Sequence, residues 1–329
     1  MQESFKAFRI YAGKEFERAG IETLTLDDLS DGDVVIKVEY SSVNYKDALA
    51  GSGEGKILRK SPLNGGIDLA GIVVSSENNL FTSGQSVLVN GSGLSEVHDG
   101  GYSQYARVPA EWVVPMPAGL NAKSSMILGT AGFTAGMAIQ RLQDNHQTPD
   151  QGPMLVTGAS GGVGSFAVEL LAQLGYEVVA MTRKQQQHDY LYSLGASKVV
   201  SNDVMHVDDA SLHKGLWGGA IDNLGGDTLA WLTKSVKPWG NIVSIGMAGG
   251  INVNTSAMPF ILRGISLLGV TSAACPQDVR KQIWQKLGNE LLSVKLDKIC
   301  TAEVGLEQLP QAFENLLKGE LYGRQIVRL

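Results

Sequence analysis

The first third of the chain contains short apolar runs that are typical of strands, and in one of them apolar and polar residues alternate as in a half-buried strand. The clearest such segment covers residues 34–40, and two more predicted strands cover 67–74 and 85–89. Turn residues separate these segments, and a stretch with two prolines at 113–117 ends this part of the chain. We therefore predict a small antiparallel β domain here.

From about residue 124 the apolar residues take helical spacing, and predicted strands and helices then alternate. Such alternation predicts a doubly wound parallel sheet of the Rossmann type. The predicted strands cover 154–157, 177–181, 198–200, 219–222, 241–245 and 265–270, and the predicted helices cover 163–174, 186–194 and 226–236.

The last part of the chain has a mixed pattern that resembles the first third. Predicted helices cover 277–292 and 306–318, and predicted strands cover 299–304 and 324–328. We therefore predict an α/β protein in which a Rossmann domain, residues 125–272, is inserted into a β-rich domain formed by residues 1–124 and 273–329. The active site is expected between the two domains.

A glycine-rich turn follows the first predicted strand of the Rossmann part, with Gly158, Gly161 and Gly164 spaced three residues apart. One glycine makes the tight turn, one lets the backbone approach a pyrophosphate, and one lets the helix pack on the strand. The N-terminus of that helix then offers N–H groups and a positive dipole end to phosphates. This pattern predicts a dinucleotide site, and the alternative is an ordinary strand–helix turn rich in small residues.

The residues after the second strand of this part distinguish the two nicotinamide cofactors. An NAD site has an Asp or Glu there, whereas this chain has Thr182, Arg183 and Lys184. Arg and Lys attract a 2′-phosphate, and a threonine hydroxyl can donate a hydrogen bond to it. We therefore expect NADPH, and the alternative is a solvated basic turn.

Composition narrows the class of protein. The chain has 329 residues, 43% of them hydrophobic and 18% charged, with a net charge of −6, which is typical of an enzyme with two domains and argues against a nucleic-acid partner. Two cysteines, Cys275 and Cys300, exclude a disulfide framework; two buried thiols are expected, and a single bridge is the alternative. No signal peptide or membrane span is visible, so we expect a cytoplasmic protein.

The segment 66–71 bears on metal binding. Zinc dehydrogenases of similar layout have Gly-His-Glu-x-x-Gly here, and Ile67 stands where their zinc-binding histidine would be. The five histidines have no ligand spacing, so we expect no metal. Without a Lewis acid, hydride addition to a polarised double bond of an enone, enoyl thioester or quinone is favoured over alcohol oxidation.

Six segments together carry a resemblance to a known family: 41–48, 66–71, 101–108, 129–135, 157–164 and 258–264. With them the chain resembles the medium-chain dehydrogenase/reductase superfamily, and most closely its zinc-free quinone oxidoreductase-like branch that contains the acryloyl-CoA reductases. The resemblance implies a GroES-like β domain around the Rossmann domain, a homodimer, and NADPH-dependent reduction of acryloyl-CoA to propanoyl-CoA.

The resemblance also implies cofactor contacts. They fall on Tyr45, Ser160, Gly161, Gly162, Val163, Thr182, Met247, Ile261 and Ser272. Thr130 and Thr134 lie at a predicted helix start where family members approach the nicotinamide, with helix capping as the alternative for Thr130. Two departures stand out: the family more often has Ser-Gly-Arg at 182–184, and Asn202 replaces an expected arginine at the adenosine-phosphate end.

The loop after the first clear strand holds the candidate catalytic residues Asn44, Tyr45 and Asp47. The Tyr45 hydroxyl is expected to bond the nicotinamide ribose or to protonate the substrate α-carbon after hydride transfer, and the alternative is a packing tyrosine. Asn44 is expected to orient the substrate or the ribose. Asp47 is either catalytic or a structural helix cap.

Basic residues are candidates for binding the substrate. Arg324 is expected to hold a CoA phosphate or the thioester oxygen, with a surface arginine as the alternative. Lys46, Arg59 and Lys60 are further candidates for CoA phosphates. The apolar strand 265–270, last in its sheet, is a candidate dimer edge.

Three functions are compared. The leading hypothesis is an NADPH-dependent reductase of a short 2-enoyl-CoA. The alternative within enzymes is an NADPH:quinone or general enone oxidoreductase, which uses the same hydride chemistry on an uncharged substrate. From a different class comes an NADPH-binding sensor or nucleic-acid-binding protein with vestigial activity, and the net charge of −6 argues against the nucleic acid.

Overall fold

The computed structural model describes residues 4–12, 19–205 and 210–329, which divide into two compact units. The first unit contains the chain up to Ala131 together with Ser272–Leu292 and Ile299–Leu329. The second unit contains Gly132–Thr271 and Ser293–Lys298. The chain thus leaves the first unit after Ala131 and returns to it at Ser272.

Strands and helices are numbered along the chain. The strands are β1 (Phe5–Ile10), β2 (Gly20–Leu24), β3 (Val34–Ser42), β4 (Leu63–Asn64), β5 (Asp68–Ser76), β6 (Ser86–Asn90), β7 (Tyr105–Val108), β8 (Val114–Pro115), β9 (Met154–Val156), β10 (Val178–Met181), β11 (Lys198–Val200), β12 (Trp217–Asp222), β13 (Val236–Ser244), β14 (Ser266–Gly269), β15 (Cys300–Val304) and β16 (Arg324–Arg328). The α-helices are α1 (Tyr45–Ser52), α2 (Ala122–Asp144), α3 (Gly162–Gln173), α4 (His188–Leu194), α5 (Gly226–Ser235), α6 (Met258–Arg263), α7 (Gln277–Leu287), α8 (Leu296–Ile299) and α9 (Leu309–Leu317).

The first unit is built on a seven-stranded sheet in the order β15-β16-β3-β5-β6-β8, with β7 also paired to β3. Most pairs are antiparallel, and β15 and β16 are parallel. Val34, Ile36 and Val38 of β3 are buried while Lys37 and Glu39 are exposed, which is the alternation that the sequence predicted. A smaller sheet, β2-β1-β4, completes the unit.

The second unit contains a six-stranded, wholly parallel sheet in the order β11-β10-β9-β12-β13-β14. The order reverses between β9 and β12, as in the Rossmann fold, and ligands of such sheets bind at the carboxyl ends of the strands around that point. All three residues of β9 are fully buried, as expected for a central parallel strand. The predicted fold class, a Rossmann sheet together with a GroES-like β-rich part, is confirmed.

Two elements differ from the predicted ones because of long-range packing. The strand predicted at 241–245 begins already at Val236, since Val236 pairs with Trp217 before the register shifts at Gly219. The helix predicted to reach residue 292 ends at Leu287, where Gly288 approaches Pro117 too closely for a side chain. Cys275 and Cys300 are both free, as expected, and the alternative of a single bridge is wrong; Cys275 is buried and Cys300 is half-buried.

Helix α2 is interrupted at Gly129, whose φ of 49° and ψ of −155° are not helical. A residue with φ in this region is almost always glycine, because a Cβ would clash with the backbone. The interruption creates a new helix start at Thr130, with backbone N–H groups that have no intrahelical acceptor. This start lies in the first unit and becomes part of the candidate site.

The glycine turn before α3 gives a direct test of the packing. A Cβ on Gly164 would lie 2.4 Å from the Gly158 carbonyl oxygen and 2.7 Å from Ala159 Cα, both backbone atoms that cannot move aside. A Cβ on Gly161 would meet only the Gly158 oxygen, at 3.3 Å. We expect Gly164→Ala to lower the free energy of unfolding by about 1–3 kcal/mol.

Gly161→Ala is the matched control and is expected to change that free energy by much less. Urea unfolding without nucleotide measures both variants. Equal losses in the two would show that close helix–strand contact is not what the third glycine provides.

Candidate functional site

The candidate site of the first unit is centred on the buried carboxylate of Asp68, the first residue of β5. Its Oδ2 accepts hydrogen bonds from Ser42 Oγ (2.5 Å), Asn44 Nδ2 (2.8 Å) and the Thr130 backbone N–H (2.9 Å). Its Oδ1 accepts one from Thr130 Oγ1 at 2.6 Å. Four donors on an acceptor-only group suit an ionised carboxylate, and they join β3, α1 and the break in α2 at one point.

Asn44 links Asp68 to two other buried ionisable groups. Its Nδ2 also lies 3.1 Å from Asp47 Oδ2, and its Oδ1 accepts a hydrogen bond from Arg324 Nη1 at 3.1 Å. Asn44 is only 8% exposed. Both ends of its amide are therefore engaged within the protein, with the nitrogen toward the carboxylates and the oxygen toward the arginine.

Asp47 closes a capping box at the start of α1. Its Oδ2 accepts the Asn44 backbone N–H at 3.0 Å, and its Oδ1 accepts the Ile67 N–H at 2.9 Å. Burial, and secondly the neighbouring Asp68 carboxylate, raise the pKa of Asp47 from 3.8 to about 7. The geometry is that of the structural cap, and it ties the helix start to the residue before β5.

Arg324 lies inside this cluster, which corrects the expected position. It is 4% exposed and donates to the carbonyl oxygens of Val43 (3.0 Å) and Ile127 (3.1 Å) as well as to Asn44. Burial lowers the pKa of the guanidinium, and the Asp68 and Asp47 carboxylates oppose that shift. The surface alternative is wrong, and in place of the expected substrate contact the structure gives this arginine protein partners.

Tyr45 is the first residue of α1 and points differently from its neighbours, since it is 52% exposed while Asn44 and Asp47 are buried. It is therefore not the core packing residue that the sequence left open. A second tyrosine, Tyr102, lies buried in the cluster and donates to the Ser42 carbonyl oxygen at 3.1 Å. Burial, together with Asp47, raises the Tyr102 pKa well above 10. Of these two hydroxyls, that of Tyr45 is the one on an exposed side chain.

The second unit brings together the residues expected at the cofactor phosphates. Ser160 in the turn after β9 and Thr182 after β10 are buried, and their hydroxyl oxygens lie 3.4 Å apart. The Lys184 backbone N–H donates to Thr182 Oγ1 at 3.2 Å. Burial, and then the charge of Arg183, lower the pKa of Lys184. Asn202 follows the next strand, β11, so these groups occupy the carboxyl ends of three adjacent strands.

The other predicted contacts are placed as follows. Gly161 is the N-cap of α3, and Gly162 and Val163 form its first turn. Thr134 is buried in α2, whereas Met247 and Ile261 are 68% and 77% exposed in the second unit. Thr130 and Ser272 belong to the first unit. The backbone N–H and the side-chain hydroxyl of Thr130 both donate hydrogen bonds to Asp68.

Sequence reasoning missed several buried residues that support these groups. In the second unit, Asp222 at the end of β12 accepts from Thr157 Oγ1 (2.6 Å) and from the Gly225 N–H (2.8 Å), which joins the turns on both sides of the strand-order reversal. In the first unit, Arg280 donates to Asn90 Oδ1 (2.9 Å) and to the Ser272 carbonyl oxygen (3.0 Å). Asp68 follows Ile67 in the segment 66–71. An acidic residue within an otherwise apolar predicted strand was the signal that could have identified it.

The raised pKa of Asp47 predicts a pH dependence of stability. The folded state keeps the proton up to about pH 7, whereas the unfolded state loses it near 3.8, so the free energy of unfolding falls as pH rises between these values. The full effect of such a shift is about 4 kcal/mol. We expect the free energy of unfolding of the wild type, measured with urea, to decrease from pH 5.5 to pH 7.5.

Asp47→Asn removes the titrating group, so its stability should vary less over the same pH range, whatever its absolute value. Equal slopes in the variant and the wild type would contradict the assignment. The comparison uses slopes, because the amide also changes the hydrogen bonds to Asn44.

The described residues were compared with what a metal site and a membrane-spanning helix require. Among residues 4–12, 19–205 and 210–329, no group of three or more His, Cys, Asp or Glu side chains is placed to hold a metal ion. Within the same described residues, no helix has the length and apolarity needed to cross a bilayer.

Comparisons with known proteins agree with this architecture. Residues 30–118 match the family model of the alcohol dehydrogenase GroES-like domain, and residues 162–289 match that of the zinc-binding dehydrogenases. The chain is 43% identical to YhfP of Bacillus subtilis, whose name describes a quinone oxidoreductase, over 100% of both chains. It is 41% identical to the acrylyl-CoA reductase AcuI of Ruegeria pomeroyi, over 94% of both.

Solved structures extend the similarity. The YhdH oxidoreductase of Salmonella enterica, in complex with NADP, superposes with a TM-score of 0.94 at 41% identity and covers 98% of this chain and 99% of its own. YhfP of Bacillus subtilis with NAD bound gives 0.96 at 42% identity, with 99% and 100% covered. The chain therefore belongs to the medium-chain dehydrogenase/reductase superfamily of oxidoreductases, in its zinc-free quinone oxidoreductase-like branch.

Proposed function

We propose that this protein reduces the activated C=C bond of a short 2-enoyl-CoA, with acryloyl-CoA as the leading substrate and propanoyl-CoA as the product. The observation that carries the proposal is the half-exposed Tyr45 side chain, on the first residue of α1, whose start is fixed by the buried Asn44–Asp47 capping box. A relative with 41% identity bears the name acrylyl-CoA reductase, which supports the substrate class.

We assign NADPH as the cofactor. When bound, it supplies the hydride for the β-carbon, and a proton completes the saturated bond at the α-carbon. The residues fit its 2′-phosphate, since Lys184 is partly buried next to Arg183 and a bound anion would offset both the desolvation and the repulsion that lower the Lys184 pKa. The buried hydroxyls of Ser160 and Thr182 add two groups able to donate hydrogen bonds.

Tyr45 is the proposed proton donor or ribose contact. A general acid needs a hydroxyl that reaches the substrate and a backbone that does not move during proton transfer. The capping box and the Ile67 hydrogen bond hold the start of α1, and thus the Tyr45 backbone, against β5. Asn44, Asp47 and Arg324 are then positioning residues, because the hydrogen bonds that their side chains make go to other protein groups.

The second candidate is an NADPH:quinone or general enone oxidoreductase. The name of the YhfP relative, 43% identical over the full length, favours this reading of the same site. Both candidates use hydride addition to a conjugated carbonyl system, so the substrate separates them.

We also propose a cytoplasmic homodimer that forms through β14. This strand is at the edge of the parallel sheet, Leu267 on it is 41% exposed, and a side chain at Gly269 would meet no atom within 4 Å. An exposed apolar edge favours pairing with a second copy. Sedimentation that shows a monomer at all concentrations would contradict this proposal.

The function is tested by following the loss of NADPH absorbance with acryloyl-CoA, crotonyl-CoA and a simple benzoquinone. Fast turnover of acryloyl-CoA with little turnover of the quinone is the expected result. The reverse preference would establish the second candidate, and no turnover on any of the three would favour a cofactor-binding sensor.

Removal of the basic side chains after β10 tests the cofactor. We expect Arg183→Ala with Lys184→Ala to raise the KM for NADPH at least about tenfold and to leave the KM for NADH nearly unchanged, because only NADPH carries the 2′-phosphate. Lys198→Ala, which removes an exposed lysine of the same unit, is the control. Equal effects on the two cofactors would contradict the assignment.

Removal of the Tyr45 hydroxyl tests its role. We expect Tyr45→Phe to lower kcat at least about tenfold, as for the loss of a general acid, with the melting temperature unchanged because the side chain is half exposed. Tyr192→Phe, at a similarly exposed tyrosine of α4, is the control. Unchanged kinetics of the Tyr45 variant would show that its hydroxyl does not act.

A further inference from the structure

We propose that a basic patch next to Tyr45 binds the phosphate groups of the CoA part of the substrate. The patch consists of Lys46, Arg59, Lys60 and Glu96, and we call it the Glu96 patch. The proposal rests on the proposed reductase function and narrows its substrate class to thioesters that carry phosphates. The patch would favour binding of a CoA thioester over binding of a quinone, because a quinone has no anionic group.

The patch is built around one carboxylate. Glu96 Oε2 lies 2.6 Å from Lys46 Nζ, and Glu96 Oε1 lies 3.1 Å from Arg59 Nε. The Glu96 backbone oxygen accepts hydrogen bonds from the N–H groups of Arg59 (2.7 Å) and Lys60 (3.3 Å). Glu96 therefore fixes the loop that carries Arg59 and Lys60 against the first turn of α1, all within the first unit.

The Glu96 patch begins next to Tyr45, where the reacting end of the substrate is proposed to lie. Lys46 follows Tyr45 directly in the first turn of α1, and the patch continues from Lys46 through Glu96 to Arg59 and Lys60. CoA separates its phosphates from the thioester by the long pantetheine arm. We place the thioester near Tyr45 and the phosphates at the exposed end of this series of side chains, formed by Arg59 and Lys60.

The charges of the patch favour an anion. Three cations and one carboxylate leave a net charge of +2, and the exposed neighbours Lys56 and Glu54 cancel each other. The whole chain carries −6, so a polyanionic substrate is repelled at long range and needs a local basic region.

The exposure of the side chains decides which groups are available. Arg59 approaches Glu96 through Nε and its side chain remains 73% exposed, so most of the guanidinium is accessible to a phosphate. Lys60 is exposed and contacts Glu96 through its backbone N–H. Lys46 is 30% exposed and more fully committed to the ion pair.

A purely structural role would make a different prediction. If the ion pairs only hold the loop to α1, the exposed Lys60 side chain contributes nothing, because the hydrogen bond of this residue comes from its backbone. Lys60→Glu reverses a charge in the patch and keeps that backbone bond. Lys281→Glu, at an exposed position of α7 in the same unit, makes the same change in net charge and is the matched control.

The experiment compares two thioesters with the same reacting group. Acryloyl-CoA carries the phosphates, and the N-acetylcysteamine thioester of acrylic acid does not. We expect Lys60→Glu to raise the KM for acryloyl-CoA about tenfold, leaving kcat and the kinetics of the small thioester unchanged. The KM of the wild type for acryloyl-CoA should also rise more steeply with ionic strength than that of Lys60→Glu. The Lys281→Glu control should behave as the wild type.

Equal KM values for acryloyl-CoA in the wild type and Lys60→Glu would overturn the proposal. Failure of the wild type to reduce either thioester would instead overturn the proposed reductase function. In that case the binding of adenosine 3′,5′-bisphosphate, measured by calorimetry with NADP⁺ saturating, still tests the patch. Weaker binding by Lys60→Glu supports the anion site, and unchanged binding overturns it.

Discussion

A carboxylate removed from water is stable only when donors surround it, and in the first unit this requirement determines how the candidate site is built. Asp68 takes its donors from β3, from the cap of α1 and from the break in α2. A shift of any one of these three segments removes at least one hydrogen bond from the buried carboxylate. The position of the helix that carries Tyr45 thus follows from the solvation of a group that lies behind it.

The cluster is costly to assemble because it buries two carboxylates and one arginine together. Asn44 separates the charges, and the protonation of Asp47 near neutral pH reduces the excess negative charge. The loss of one partner from a buried charged group typically costs about 3–5 kcal/mol. A site that depends on such groups has one well-defined arrangement, which suits the proton-donor role proposed for Tyr45.

The second unit uses the same principle at smaller scale. Asp222 is buried at the end of β12 and is satisfied by Thr157 and by the Gly225 N–H, so the turns after β9 and β12 are joined where ligands of parallel sheets bind. The same edge of the sheet contains the turn after β9, where glycines allow close backbone contacts, and the basic residues that follow β10. The two units therefore present different groups: buried hydroxyls and basic residues at the strand ends in one, and an exposed tyrosine next to the Glu96 patch in the other.

The sequence by itself determined the features that depend on neighbouring residues. Hydrophobic periodicity located most strands and helices to within a few residues, and the glycine spacing at 158–164 and the basic residues at 183 and 184 indicated the dinucleotide turn. The sequence left two alternatives for Asp47, a catalytic residue or a helix cap. Asn44 and Asp47 can form a capping box only if a helix starts between them, and the sequence did not fix that start.

Only the tertiary structure decided the features that depend on burial and on distant partners. Arg324 and Asn44 are 280 residues apart, and Thr130 reaches Asp68 across 62 residues, so no local pattern shows that these side chains meet. The same holds for the early start of β13, where Val236 pairs with Trp217 of β12 ahead of an unpaired stretch that contains Pro238 and Gly240. A side chain's type shows what it can bind, but its partners and its exposure follow from how the whole chain packs, and these decide which of its possible roles is open to it.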